Sequence, residues 1–255
     1  NFEGKYRGRT CPPRNQRPIK RIFKGIERKA VMYTSLFLDL DNTLLDFNAA
    51  EAHAVRKVLK SHGLPHDDAA VALYSDINRS YWERFERGEI PREAIFEGRF
   101  KTLFEKLGVT GDTAKISKDY CFNLSEGYFK VEGADEILTY LKKRGYKLYA
   151  ATNGISLTQH KRIRGSGLFK YFDGVFVSED TGHQKPEKEY YGYIIEKIPE
   201  KDKAKILILG DSQSSDILGG INSGIDTCWY NPENKAAKYP SKYQIGALSE
   251  LEKIL

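Results

Sequence analysis

Two carboxylates stand two residues apart in Asp39-Leu40-Asp41-Asn42-Thr43, directly after the apolar run Leu36-Phe37-Leu38. At the end of a strand, carboxylates so spaced can face one site, where one attacks a phosphorus atom and the other handles a proton. Three further groups follow other apolar runs. Thr152-Asn153-Gly154 offers a hydroxyl, an amide and backbone N–H groups, as either an anion cradle or a helix cap. Gln184-Lys185-Pro186 sets an ammonium before a proline-started helix, where it can neutralise a phosphoryl oxygen. Gly210-Asp211-Ser212-Gln213-Ser214-Ser215-Asp216 puts Asp211 where a hard cation needs an oxygen ligand. Asp216 can ligate through water, orient Lys185, or serve as an acid at a helix start.

The elements that must position these groups alternate. Short apolar strands are expected at 36–38, 147–151, 174–177, 205–209 and 227–230, with helical patterns at 133–144, 155–165, 187–197 and 214–223. Such alternation predicts an α/β fold with a parallel sheet covered on both faces, and ligands bind at the carboxyl ends of strands in sheets of that kind. One interval breaks the pattern. Residues 48 to about 126 contain no convincing strand and read as four helices, 48–62, 67–87, 92–107 and 112–129. Phe96, Phe100, Leu103 and Leu107 form an apolar stripe in the third, and Pro91 suits its first turn. The expected organisation is a core of 32–47 and 127–255, a helical insertion over 48–126, and a basic extension over 1–31.

The chain has 255 residues, 40% hydrophobic and 30% charged, as expected of a soluble enzyme. No apolar run approaches the roughly 18 residues needed to span a bilayer. Cys11, Cys121 and Cys228 lie far apart and form no CxxC pair, which points to reduced thiols in a cytoplasmic protein rather than a disulfide framework. The net charge of +6 is uneven: residues 1–31 hold ten Lys/Arg against two Glu, so residues 32–255 carry 31 basic against 33 acidic groups. The basicity therefore belongs to an arm. Met32, the single methionine, precedes the first strand and is the expected native start, with residues 1–31 an extension. An organelle-targeting peptide is the alternative, although the arm lacks serine and Pro12, Pro13 and Pro18 disfavour an amphipathic helix.

In order and context the four groups resemble the motifs of the haloacid dehalogenase-like (HAD) superfamily. Asp39 through Thr43 is similar to its first motif, Thr152 to its second, Lys185 to its third, and Gly210-Asp211 with Asp216 to its fourth. The resemblance covers about residues 33–255 and implies a Rossmann-like HAD core with a helical cap of the family's first class. Asp41 separates this chain from the family's dehalogenases, which lack an acid at that position. The runs Leu38–Phe47 and Gly210–Asn231, with Asn78, Trp82, Glu86-Arg87-Gly88 and Arg99-Phe100, resemble the noncanonical pyrimidine 5′-nucleotidase branch.

The resemblance implies a phosphomonoester hydrolase acting through an aspartyl-phosphate. It assigns Asp39 as nucleophile and Asp41 as general acid and base. Magnesium is the expected cofactor, held by the Asp39 carboxylate, the Asp41 backbone carbonyl and Asp211. Thr152, the Asn153 backbone and Lys185 are expected to hold phosphate oxygens, with Asp216 behind them. Asn78, Trp82 and Arg99 are candidates for reading the substrate, although Trp82 equally extends a packed face and Arg99 equally serves as an internal ion-pair partner. The expected partner is a small phosphate monoester, a nucleotide by the finer resemblance, bound by a monomer or dimer without membrane or nucleic acid. A phosphoglycolate or sugar-phosphate phosphatase, a phosphomutase, and a nucleic-acid-binding protein using the basic arm are the alternatives.

Removing residues 1–31 is expected to leave Tm and kcat/KM nearly unchanged. A fall in Tm of more than about 4 °C, roughly 1 kcal/mol for a domain this size, would show that the arm packs on the body.

Overall fold

The structure is a computed structural model and describes residues 33–255. The extension 1–31 and Met32 lie outside the described residues.

Six parallel strands form one sheet in the order β3-β2-β1-β4-β5-β6: β1 (Ser35–Leu38), β2 (Lys147–Thr152), β3 (Gly174–Val177), β4 (Ile206–Gly210), β5 (Asp226–Tyr230) and β6 (Tyr243–Ile245). The expected α/β fold holds, with a sixth strand that carries too little apolar sequence to be read as one. β1 and β4 are buried throughout because helices cover both faces. Alternation sorts their side chains. Leu36, Leu38, Leu207 and Leu209 join a core with Ile137, Leu138 and Leu141 of α5 (Ala134–Lys143) and Ile163 of α6 (Ser156–Gly165). Phe37, Ile206 and Ile208 join Tyr190, Tyr191 and Ile194 of α8 (Lys188–Lys197) on the other face. Between them in sequence, α7 (Ser178–Thr181) is a single turn after β3. α9 (Leu218–Ser223) follows β4.

Four helices, α1 (Phe47–Ser61), α2 (Asp68–Glu86), α3 (Glu93–Leu107) and α4 (Thr113–Ser125), fill the interval after β1. Asp46, Asp67 and Asp112 cap α1, α2 and α4 by accepting from backbone N–H groups of their first turns. A separate core of Ala54, Val58, Tyr74, Phe100, Leu103 and Tyr120 joins them. The fourth helix ends earlier than its pattern suggests. Gly127 lies against α1, where a Cβ would stand 2.6 Å from that of Ala50. The chain then runs extended, so that Asp46 N donates to Phe129 O at 3.0 Å and Val131 N to Leu44 O at 3.1 Å. The outgoing and returning connections are thus paired.

No helix among the described residues is long and apolar enough to cross a membrane.

Candidate active site

β1 has β2 on one side and β4 on the other, so the chain reverses its direction of winding there, and the strand ends at that point open a crevice. Asp39 follows β1 and still donates its N–H to Leu209 O at 2.9 Å. The next residues fold back, with Leu44 and Leu45 N–H bonded to Leu40 O. Asn42 takes a φ of 57°, which asparagine tolerates better than most residues. This tight loop buries Thr43 beside two strand ends. Its Oγ1 accepts from Asp211 N at 3.1 Å and can donate to Asp39 Oδ2 at 3.3 Å or to Asp211 Oδ1 at 3.4 Å.

Lys185 reaches the same point from the loop after α7 and is 1% exposed. Its Nζ donates to Asp39 Oδ1 at 2.6 Å, Asp216 Oδ1 at 2.7 Å and Ala151 O at 3.0 Å, using all three of its protons. Asn153 holds the lysine from behind: its Nδ2 donates to Lys185 O at 2.9 Å, and Lys185 N donates to its Oδ1 at 2.8 Å. Asp216 is steadied through Oδ2 by Ser212 N at 3.1 Å. Burial alone would depress the Lys185 ammonium, but Asp216 and Asp39 hold it well above its usual range. Burial pushes the Asp39 carboxyl up to about 7, and Asp216 and Asp41 add to the rise against the pull of Lys185.

Asp41 makes contacts that no local motif announces. Arg162 NH1 pairs with its Oδ1, and Gln159 Nε2 donates to its Oδ2 at 2.8 Å. Gln159 Nε2 also reaches Thr152 Oγ1 at 2.7 Å, which joins the first and second motifs. Both residues belong to α6, three positions apart and thus on one face. Their helical spacing is the signal that sequence reading passed over.

Asp211 completes the acidic set. Oxygens of Asp39, Asp211 and Asp216 all lie within 4.8 Å of one another. Among the described residues, no Lys, Arg or His lies within ion-pair distance of Asp211. Enclosure by protein, with the Asp39 and Asp216 charges close by, raises its carboxyl well above the usual range. Carboxylates crowded in this way fit a hard dication, which would offset their repulsion with oxygen ligands.

These groups floor a cavity of about 270 Å³ whose other wall comes from α1, α2 and α3. Asn78, Trp82 and Arg99 all line it. Trp82 is half-buried, edge-on to Phe85 at 5.8 Å. Arg99, however, is 1% exposed and donates to Asn78 Oδ1 at 2.8 Å, so the two are committed to each other. Several contacts close the wall onto the strand ends, among them two short ones. Ser214 Oγ donates to Glu86 Oε2 at 2.6 Å, and Arg92 NH2 donates to Ser178 Oγ at 2.6 Å.

Residues 33–224 match the sequence family of haloacid dehalogenase-like hydrolases. YfnB of Bacillus subtilis, which bears the family name HAD-hydrolase, is 42% identical over 225 residues, 88% of this chain and 95% of YfnB. Its crystal structure, described as bound to magnesium and as revealing interdomain movement, matches with a TM-score of 0.83 over 88% of this chain and 98% of that one. The pyrimidine 5′-nucleotidase PynA of Streptococcus pneumoniae is 39% identical over 87% of this chain and 94% of PynA. The pyrimidine 5′-nucleotidase YjjG of Escherichia coli is 29% identical over 86% of this chain and 96% of YjjG.

Gly210 tests how tightly the charged cluster is held. A Cβ there would stand 2.1 Å from Asp216 Cγ, so Gly210→Ala must displace the carboxylate that holds Lys185. The variant is expected to lose about 1–3 kcal/mol of stability through overpacking. Phosphatase activity should fall on the order of 10²-fold, as for other small misplacements at reacting centres. Calorimetry and steady-state kinetics check both, and wild-type kcat/KM in the variant would show that Asp216 need not stay in place.

Proposed function

We propose that this chain, which belongs to the haloacid dehalogenase-like hydrolase family, is a magnesium-dependent phosphatase of nucleoside 5′-monophosphates with a preference for pyrimidines. The observation that carries the reading is the buried Asp39–Lys185–Asp216 cluster beside Asp211, with Asp41 bordering the same cavity.

Asp39 attacks the phosphorus, and the bond to the leaving oxygen breaks while Asp41 donates a proton to that oxygen. Asp41 then takes a proton from water, the water attacks the aspartyl-phosphate, and inorganic phosphate leaves with Asp39 regenerated. Arg162 and Gln159 occupy both Asp41 oxygens. Each takes one of the two lone pairs on its oxygen, so Asp41 is held in place and keeps a site for the proton it transfers. The Thr152 hydroxyl and the Asn153 backbone N–H bind the phosphoryl oxygens that gain charge in the transition state, and Lys185 joins them by turning the proton it now gives Asp39 to the phosphoryl group. Asp39, Asp211 and the Asp41 backbone carbonyl would hold magnesium, whose charge reduces repulsion between the carboxylate and the phosphate dianion. The helices of residues 48–126 act as a cap over the core of 32–47 and 127–255 and exclude water from the first step.

The substrate class rests on two supports. PynA and YjjG are both named pyrimidine 5′-nucleotidases. The cavity of about 270 Å³ is lined by Trp82, whose indole can stack on a flat base.

With magnesium present, kcat/KM for dUMP, dTMP and UMP is expected to exceed that for phosphoglycolate and sugar phosphates by about tenfold or more, the worth of one good stacking contact, and to exceed that for purine monophosphates as well. Phosphoglycolate or a sugar phosphate winning by that margin would leave a phosphatase but overturn the nucleotidase. Transfer of the phosphoryl group to a second hydroxyl of a sugar phosphate would make the enzyme a mutase.

A further inference from the structure

Glu51 on α1 is 4% exposed, yet it lines the substrate cavity, and nothing in the proposed phosphoryl chemistry uses it. Its Oε1 accepts from Asn78 Nδ2 at 2.6 Å, and Asn78 Oδ1 accepts from Arg99 NH1 at 2.8 Å. Donor and acceptor types fix the polarity of this chain. A guanidinium only donates, so it must meet the amide oxygen. That turns the amide nitrogen toward Glu51, which must accept. Arg99 is in turn locked beneath the Tyr120 ring, 4.5 Å from its centroid. Burial raises the Glu51 carboxyl, and Ser75, Asn78 and Arg99 oppose that rise.

An ionised carboxylate has about four acceptor sites, of which Asn78 and Ser75 fill two. The cavity-facing remainder seeks an N–H donor from the ligand. Trp82 lies one helical turn beyond Asn78 on the same face of α2, so a ring stacked on the indole would bring its edge toward this carboxylate.

We propose that Glu51 is a specificity-determining residue that accepts the ring N3–H of uracil or thymine, with Asn78 and Arg99 as the residues that position it. The inference rests on the nucleotidase reading. Cytosine presents an acceptor at N3 and its donor only at N4, so a carboxylate that Asn78 and Arg99 hold opposite N3 favours uridine and thymidine monophosphates over cytidine monophosphate. A base edge that loses a hydrogen bond to a charged group loses roughly ten- to a hundredfold.

The test uses the full chain with magnesium and measures kcat/KM for UMP, CMP and ribose 5-phosphate, with wild type and Glu51→Gln. In wild type, UMP should exceed CMP and ribose 5-phosphate by about tenfold or more. In Glu51→Gln the UMP/CMP ratio should fall toward one and the UMP/ribose 5-phosphate ratio should fall about tenfold, to what stacking on Trp82 supports, mainly through KM for UMP. If wild type hydrolyses ribose 5-phosphate as well as UMP, the nucleotidase reading fails and takes this inference with it. If wild type favours UMP but the variant keeps both ratios, only the role of Glu51 fails. Should Glu51→Gln not fold, wild type alone decides, with UMP compared against its N3-methyl derivative. Loss of about tenfold or more on methylation supports the contact, and equal kcat/KM overturns it.

Discussion

A lysine ammonium buried between two carboxylates holds the site together. Lys185 bridges Asp39 and Asp216 with its last proton on Ala151 O. Taking three ions out of water costs several kcal/mol each, and close mutual pairing is what offsets it. The geometry around them is correspondingly tight. Asn153 clamps the lysine backbone from both sides, Ser212 N fixes Asp216, and Gly210 leaves space where a side chain would strike that carboxylate. Strands β1, β2 and β4 and the loop after α7 each deliver one member, so the sheet register and the cluster depend on each other.

The same cluster is unbalanced in charge. Lys185 offsets Asp216 and shares Asp39, and Arg162 pairs with Asp41, which leaves Asp211 and part of Asp39 without a counter-charge. Burial raises the proton affinities of Asp39 and Asp211, and the neighbouring carboxylates add to the rise. A site with spare negative charge at its base and a fixed ammonium beside it suits a ligand that is itself an anion accompanied by a hard cation. On the proposed reading, a phosphate monoester with magnesium restores the balance. The opposite wall carries no such excess. There Glu51, Asn78 and Arg99 form one internally paired chain, so the two halves of the cavity address different parts of a substrate.

Much of this was legible in the sequence because it depends on local signals. The apolar runs at 36–38 and 206–209 are strands because a parallel sheet covered on both faces needs continuous hydrophobic segments. Asp39, Asp41, Thr152 and Asp211 stand out because they lie where such runs end, and Lys185 and Asp216 stand out by their order after them. What escaped notice lacks a local signature. β6 is three residues with Gln244 in the middle, and only its pairing with β5 makes it a strand. Gln159 and Arg162 sit inside a helix whose sequence looks like a solvated polar surface, and only the fold carries them to Asp41. Asn78 and Arg99 line the cavity, but the partner that decides what they do is Glu51, 27 residues before Asn78. A helix-borne side chain reveals its role through the helices packed against it, and one sequence does not display that packing.

The central claim is that Asp39 becomes phosphorylated. The full chain, mixed with radiolabelled UMP and magnesium and quenched in acid within one turnover, would be digested and its peptides mapped. The account predicts label on the peptide that carries Asp39, discharged by hydroxylamine as an acyl phosphate is, and no label in Asp39→Asn. Full release of inorganic phosphate over the same interval, with no label on that peptide at any quench time, would contradict it.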